Sequence, residues 1–304
     1  MKLCGNEVPY SYANVFKKMG YVTKSYHNHT AEFYNRDKYM ETMGYDSYLA
    51  VGNGLEKRMD CGHWPNSDLD MVKVTMDDYI KEDKFVSYYM TVSGHLGYTR
   101  EINYLTDKNW DMVKDLPYSE KAKGYLAANI ELDKAVEEMV KRLEQEGKLE
   151  DTVIVISGDH YPYGLELSEI NEISTYERDD RFEKYSMPLL IWNSGMEEPV
   201  KVDKIGSSLD ILPTVLNLFG VEYDSRLLIG KDLLSDAPPL VIFSDRSFIT
   251  DKGKYDAIAD KFVPTEGITV DKKYVENISK IIYQKYKMSG LILENDYYRT
   301  LEGI

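Results

Sequence analysis

Four of the five histidines in this sequence fall just after apolar, strand-like runs. His27 and His29 follow residues 21–26, His95 follows residues 85–92 through Ser93-Gly94, and His160 follows residues 152–157 through Gly158-Asp159. Ligands of open α/β sheets bind beyond the carboxyl ends of the strands, so these imidazoles stand where chemistry is done. Asp159-His160 is the sharpest pair, because a carboxylate oxygen and a neutral imidazole suit Mn²⁺, Zn²⁺ or, less readily, Mg²⁺. The alternative is Asp159 capping a helix with His160 packed under a loop. Tyr161-Pro162-Tyr163-Gly164 is a poor helix start and argues against it. His95 is a candidate acid or base, or a donor to a phosphate; a histidine hydrogen-bonded in its own loop is the competing reading. Arg36 could clamp a phosphate through two parallel hydrogen bonds, or be a solvated charge on the first turn of a helix. His29 and His63 read as surface or supporting residues, and Cys61-Gly62-His63 lacks the further ligands a zinc site needs.

The elements that must carry these residues alternate. Helices are expected over residues 11–19 and 36–43, each stopped by a glycine, with strands over 21–26 and 45–49. Ser67-Asp68-Leu69-Asp70 reads as a cap opening a helix to about residue 81, with Leu69, Val72, Met76 and Tyr79/Ile80 on one face. Residues 85–92 form a buried strand. The longest helix is expected over 120–146, with an apolar stripe of Leu126, Ile130, Val136, Val140 and Leu143. Residues 152–157 (TVIVIS) should be a central parallel strand, followed by a strand at 187–192 and a helix at 208–219. After about residue 235 the pattern changes to short strands at 240–243, 248–250 and 255–258, and a helix at 271–286. The expected organisation is an α/β domain over 1–235 and a small α+β subdomain over 236–304.

Composition narrows the function classes. Asp and Glu number 52 against 37 Lys and Arg, a net charge of −15. That is the wrong sign for a general nucleic-acid binder. It does not exclude an anionic small substrate, since a metal ion or a few local cations reverse the field inside a pocket. Apolar residues at 43% allow a sizeable core. No apolar run approaches the 18 or so residues of a membrane span, and residues 1–10 carry no secretory signal. Tyr outnumbers Phe 26 to 8, which suits half-wet positions whose hydroxyls need partners. Cys4 and Cys61 leave one disulfide or two free thiols equally open.

Five segments in order make a recognisable pattern: His27-Asn28-His29-Thr30-Ala31-Glu32-Phe33-Tyr34-Asn35-Arg36-Asp37, Gly44-Tyr45-Asp46, Met90-Thr91-Val92-Ser93-Gly94-His95, the run from Asp151 through Ser157-Gly158-Asp159-His160-Tyr161, and Ser208-Leu209-Asp210-Ile211-Leu212-Pro213-Thr214. Together they resemble the extracellular catalytic domain of lipoteichoic acid synthases and related phosphoglycerol transferases, in the sulfatase/alkaline-phosphatase superfamily. The resemblance implies an alkaline-phosphatase-like three-layer α/β sandwich. It implies Asp159 and His160 as metal ligands, usually for Mn²⁺, with Zn²⁺ and Mg²⁺ as alternatives. It places His27, Tyr34, Arg36 and His95 along the phosphoglycerol pocket, Tyr34 standing where a Trp is common and His29 where some relatives have a short polar or acidic residue.

The activity so implied is transfer of a phosphoglycerol group from an anionic phospholipid to a glycan or polymer of the cell envelope. Rival expectations are a sulfatase- or phosphodiesterase-type hydrolase and a non-catalytic anion-binding module. In this family the threonine nucleophile and an acidic metal ligand lie upstream of the segment matching residues 11–20, and residues 1–10 offer neither. The expectation is therefore a soluble part of a longer protein, anchored by spans outside this chain, displayed outside the cell membrane and inactive alone. A Cys/Ser-x-Pro-x-Arg sulfatase motif is not matched by Cys61-Gly62-His63-Trp64-Pro65.

Overall fold

The computed structural model describes residues 4–301, so the extreme ends of the two expected domains, 1–3 and 302–304, lie outside the described residues. The chain divides into two compact units, one ending at Glu197 and the other beginning at Glu198. The sequence changed character nearer residue 235.

The first unit runs α1 (Tyr12–Lys18), β1 (Val22–Thr30), α2 (Arg36–Thr42), β2 (Ser47–Val51), α3 (Asp68–Thr75), β3 (Phe85–Met90), α4 (Tyr104–Lys108), α5 (Glu120–Gln145), β4 (Ile154–Ser157), α6 (Leu167–Glu172) and β5 (Leu189–Trp192). Four helices start where a side chain accepts an orphan amide of the first turn. Ser11, Ser67, Asn103 and Ser119 accept from Asn14, Asp70, Thr106 and Ala122. β1 lies between β2 and β3 and runs parallel to both. The two-residue period then sends neighbours to opposite faces. Tyr26, Leu49 and Tyr89 pack with Met71 and Val72 of α3 and Leu143 of α5, while Tyr48 and Met90 pack with Ala13 of α1 and Met40 of α2. Helices cover both faces of a parallel sheet, which is the layered α/β arrangement expected.

Two expectations are corrected. The buried side of α5 is not the expected aliphatic stripe: Ala122, Gly124, Ala127, Ala128 and Ala135 are buried on it, and of the stripe only Leu143 is. Close approach explains it, since a Cβ at Gly124 would lie 2.0 Å from the Tyr98 carbonyl oxygen. β4 is not a central parallel strand. Its described partner is β5, antiparallel, with Ile154 opposite Trp192 and Ser157 opposite Leu189, and both strands are half-exposed. An all-apolar run signals a buried strand but carries no information about its partner or direction.

The second unit contains α7 (Ile211–Leu218), then β6 (Val241–Ile242), β7 (Phe248–Thr250), β8 (Gly253–Asp256) and β9 (Lys261–Pro264) in an antiparallel meander, and α8 (Tyr274–Glu294). β9 was not foreseen, and α8 continues eight residues past the expected end at 286.

Candidate active site

All the candidate site residues lie in the first unit. His27 ends the β1–β3 ladder, opposite Met90. It is buried, and its Nδ1–H donates to the Met90 carbonyl at 2.8 Å. A carbonyl only accepts, so this bond fixes the tautomer and leaves the Nε2 lone pair free. Arg36 Nη1 approaches that nitrogen at 3.4 Å. Burial chiefly, with the charge of Arg36 adding to it and the Met90 bond opposing it, pushes the His27 pKa down to about 4. His27 is therefore neutral at physiological pH.

Arg36 opens α2 after two residues in left-handed backbone, Tyr34 (φ 56°) and Asn35 (φ 58°). Non-glycine residues cost energy there, and such strain collects at functional sites. The turn folds the guanidinium back over the Phe33 and Tyr34 rings, 5.3 and 5.5 Å from their centroids. Tyr34 is 64% exposed and forms an outer wall. Among the described residues no carboxylate pairs with Arg36, and its Nε is buried without an acceptor. A buried donor with no partner is uncommon and asks for one.

From this corner a chain of ring contacts runs to Asp159 and His160, the candidate metal-ligand pair. Centroid separations are 5.8 Å for His27–His29, 5.3 Å for His29–Trp64, 5.2 Å for Trp64–His95 and 6.2 Å for His95–His160. His160 then stacks on Tyr163 at 4.0 Å. The loop bearing His95 is held by the Tyr98 hydroxyl donating to the Gly94 carbonyl and Asn103 Nδ2 donating to the His95 carbonyl. Asp159 Oδ2 and His160 Nε2 are 3.6 Å apart, and Nδ1–H of His160 donates to the Tyr161 carbonyl at 2.8 Å. That leaves Nε2 as a lone-pair donor beside a carboxylate, an oxygen–nitrogen pair spaced to reach one cation. The backbone bond to the far ring nitrogen is the usual support of a metal-binding imidazole. Among the described residues no third His, Cys, Asp or Glu completes the pair.

The structure thus gathers His27, Tyr34, Arg36, His95, Asp159 and His160 in one region. It also draws in His29, read from sequence as surface or supporting. Burial and the Arg36 charge lower the pKa of His29. His63 stays apart, stacked on Tyr104 and paired with Asp60 at 3.3 Å. Cys4 and Cys61 are both free thiols. Trp64 was missed: it sits between His29 and His95, and its indole N–H donates to the Leu96 carbonyl at 2.9 Å. An isolated Trp-Pro in a polar loop was its only signal. Phe33 and Tyr163 were missed as well, since nothing in their spacing separates site aromatics from packing ones.

Comparison with known proteins bears on the family and the fold. The Sulfatase family model matches residues 8–221. Lipoteichoic acid synthase 2 of Bacillus subtilis (strain 168) is 24% identical over 312 residues, covering 95% of this chain and 44% of that protein. Lipoteichoic acid synthase of Staphylococcus aureus (strain USA300) is 24% identical over 302 residues, 93% of this chain and 44% of that one. The chain therefore spans less than half the length of these relatives. The crystal structure of the lipoteichoic acid synthase LtaP from Listeria monocytogenes superposes with a TM-score of 0.80 at 22% identity, over 97% of this chain and 75% of that one. An alkaline phosphatase superfamily protein from Vibrio parahaemolyticus gives 0.63 at 18% identity, over 98% and 71%. With an alkaline-phosphatase-like fold and a family match over most of its length, the chain belongs to the sulfatase family and is lipoteichoic acid synthase-like within it.

Proposed function

We propose that this chain carries the phosphate-binding side of a phosphoglycerol transferase. Its substrate is the phosphoglycerol headgroup of an anionic phospholipid, and its acceptor a hydroxyl of a glycan or cell-envelope polymer. The observation that carries the reading is Arg36: among the described residues a guanidinium with no carboxylate partner and a buried unpaired Nε, set beside a neutral imidazole and walled by Phe33 and Tyr34. Such a fork suits two phosphate oxygens, and the aromatic wall suits the carbon skeleton of a glycerol. The names of the relatives, lipoteichoic acid synthases, point to the same chemistry.

Asp159 and His160 would hold the divalent metal, Mn²⁺ before Zn²⁺ or Mg²⁺, which when bound supplies positive charge to the phosphoryl oxygens. His95 lies between that pair and the Arg36 corner. Its Nδ1 faces the Leu96 carbonyl at 3.4 Å, which leaves Nε2 to accept a proton from an attacking hydroxyl or to give one to a leaving oxygen. The family resemblance places its threonine nucleophile upstream of the segments matched here, and display of this domain on the outer side of the cell membrane is part of the same reading. Within the described residues no helix is long and apolar enough to cross a membrane.

The test is to titrate the purified chain with sn-glycerol phosphate, with and without Mn²⁺, and to assay phosphatidylglycerol turnover beside Asp159→Ala. Binding strengthened by Mn²⁺ in the wild type but not in Asp159→Ala, with little or no turnover, is the expected result. Rapid glycerol phosphate release abolished in Asp159→Ala would show a complete hydrolase in this chain. No binding under any condition would remove the phosphoglycerol reading.

A further inference from the structure

Asp68, the first residue of α3, is fully buried and has no cationic partner among the described residues. Its Oδ1 accepts from Asn28 Nδ2 at 2.8 Å and from the Val92 amide at 3.0 Å. Its Oδ2 accepts from the Ser93 amide at 3.0 Å, and its own amide donates to the Ser93 hydroxyl at 3.0 Å. Three N–H donors converge on the two oxygens. Burial raises the Asp68 pKa, and the bonds from Val92, Ser93 and Asn28 pull it back towards the carboxylate.

The placement of those donors gives the cluster its meaning. Asn28 stands between His27 and His29, and Val92-Ser93 lead directly into Gly94-His95. The β1–β3 ladder ends at the His27–Met90 pair. Beyond it the two strand ends share no described backbone rung, and the Asp68 carboxylate bridges them instead. A second strut lies alongside, since Asn28 and Asn66 exchange side-chain-to-carbonyl bonds at 3.0 and 2.7 Å. The segment that supplies both struts also supplies Trp64, whose ring separates His29 from His95. We infer that Asp68 is a positioning residue, which sets the separation between the histidines at the end of β1 and His95 after β3. This rests on the reading that these histidines form the binding site, but the geometry it claims is measurable without any ligand.

The experiment compares wild type, Asp68→Asn, Asp68→Ala and a core control, Leu143→Ala, by histidine side-chain ¹⁵N NMR and by titration with sn-glycerol phosphate. An asparagine oriented to keep its oxygen on the two donors Asn28 and Val92 turns its NH₂ against the Ser93 amide. Asp68→Asn should therefore move the His95 resonances and spare those of His27, with binding weakened severalfold. Asp68→Ala should move both sets and weaken binding tenfold or more. Leu143→Ala should lower stability without moving either. Should Asp68→Ala fail to fold, the His95-only pattern in Asp68→Asn decides the matter. Unmoved histidine resonances in a folded Asp68 variant, or equal movement in Leu143→Ala, would overturn the assignment. Absence of glycerol phosphate binding in the wild type would count against the functional reading alone, because the imidazole resonances still report on Asp68.

Discussion

Arg36→Ala is the perturbation with the most to say about this site. The guanidinium is only loosely held, with Nη1 3.4 Å from His27 Nε2 and 3.5 Å from the Phe33 carbonyl. Its Nε has no acceptor among the described residues. A phosphate arriving at the fork gains new bonds while breaking only long ones. A hydrogen bond to a charged group is worth about 1.5–3 kcal/mol, so removing the fork should raise the dissociation constant roughly 10- to 150-fold. Arg36→Lys keeps the charge and loses the planar fork, so it should recover only part of the affinity. Calorimetric titration with sn-glycerol phosphate at fixed ionic strength measures both variants, because exposed charge effects vary with salt. His27 gives a second readout. Burial is the larger cause of its depressed pKa, but the Arg36 charge adds to it. Arg36→Ala should raise that pKa while leaving it below the ordinary histidine value. Wild-type affinity in Arg36→Ala would refute the clamp. Full recovery in Arg36→Lys would show that charge, not the fork, does the binding.

Two further outcomes follow from buried groups near the site. The folded state holds His27 neutral down to about pH 4, whereas the unfolded chain protonates it near 6.5; the unfolded state binds more protons between those values. Stability should be complete above about pH 6.5 and fall as the pH drops to about 4, by about 3 kcal/mol from this residue. Urea midpoints of wild type against His27→Gln isolate that share from the carboxylates, and parallel pH profiles would contradict it. Gly124→Ala should gain about 1 kcal/mol of helix propensity, yet its Cβ meets the Tyr98 carbonyl oxygen at 2.0 Å, a backbone atom that cannot swing aside. Overpacking of about 1–3 kcal/mol should win. The loop held by Tyr98 should shift with it, visible as a lower denaturation midpoint and a moved His95 resonance.

What the sequence disclosed and what it withheld divide along one physical line. Strand exits are legible because an apolar run ending in Gly, Asp or His is a local signal, and every candidate ligand was found that way. The serine cap of α3 was legible for the same reason: Ser67 accepts from Asp70 within a single turn. Distance in the chain hides the rest. Asp68 reaches 40 residues back to Asn28 and 24 forward to Val92, so within its own helix it looks like an ordinary acidic first-turn residue. The small buried face of α5 follows from how closely the Tyr98 loop approaches, which helical period alone does not encode. β4 shows the limit from the other side: its composition announces a buried strand, but pairing direction is settled by the neighbour, and the neighbour is β5. Candidate site residues are therefore easier to read from sequence than the residues that hold them in place. The second group decides whether the first can act together, since a histidine displaced by about 1 Å loses much of what positioning contributes.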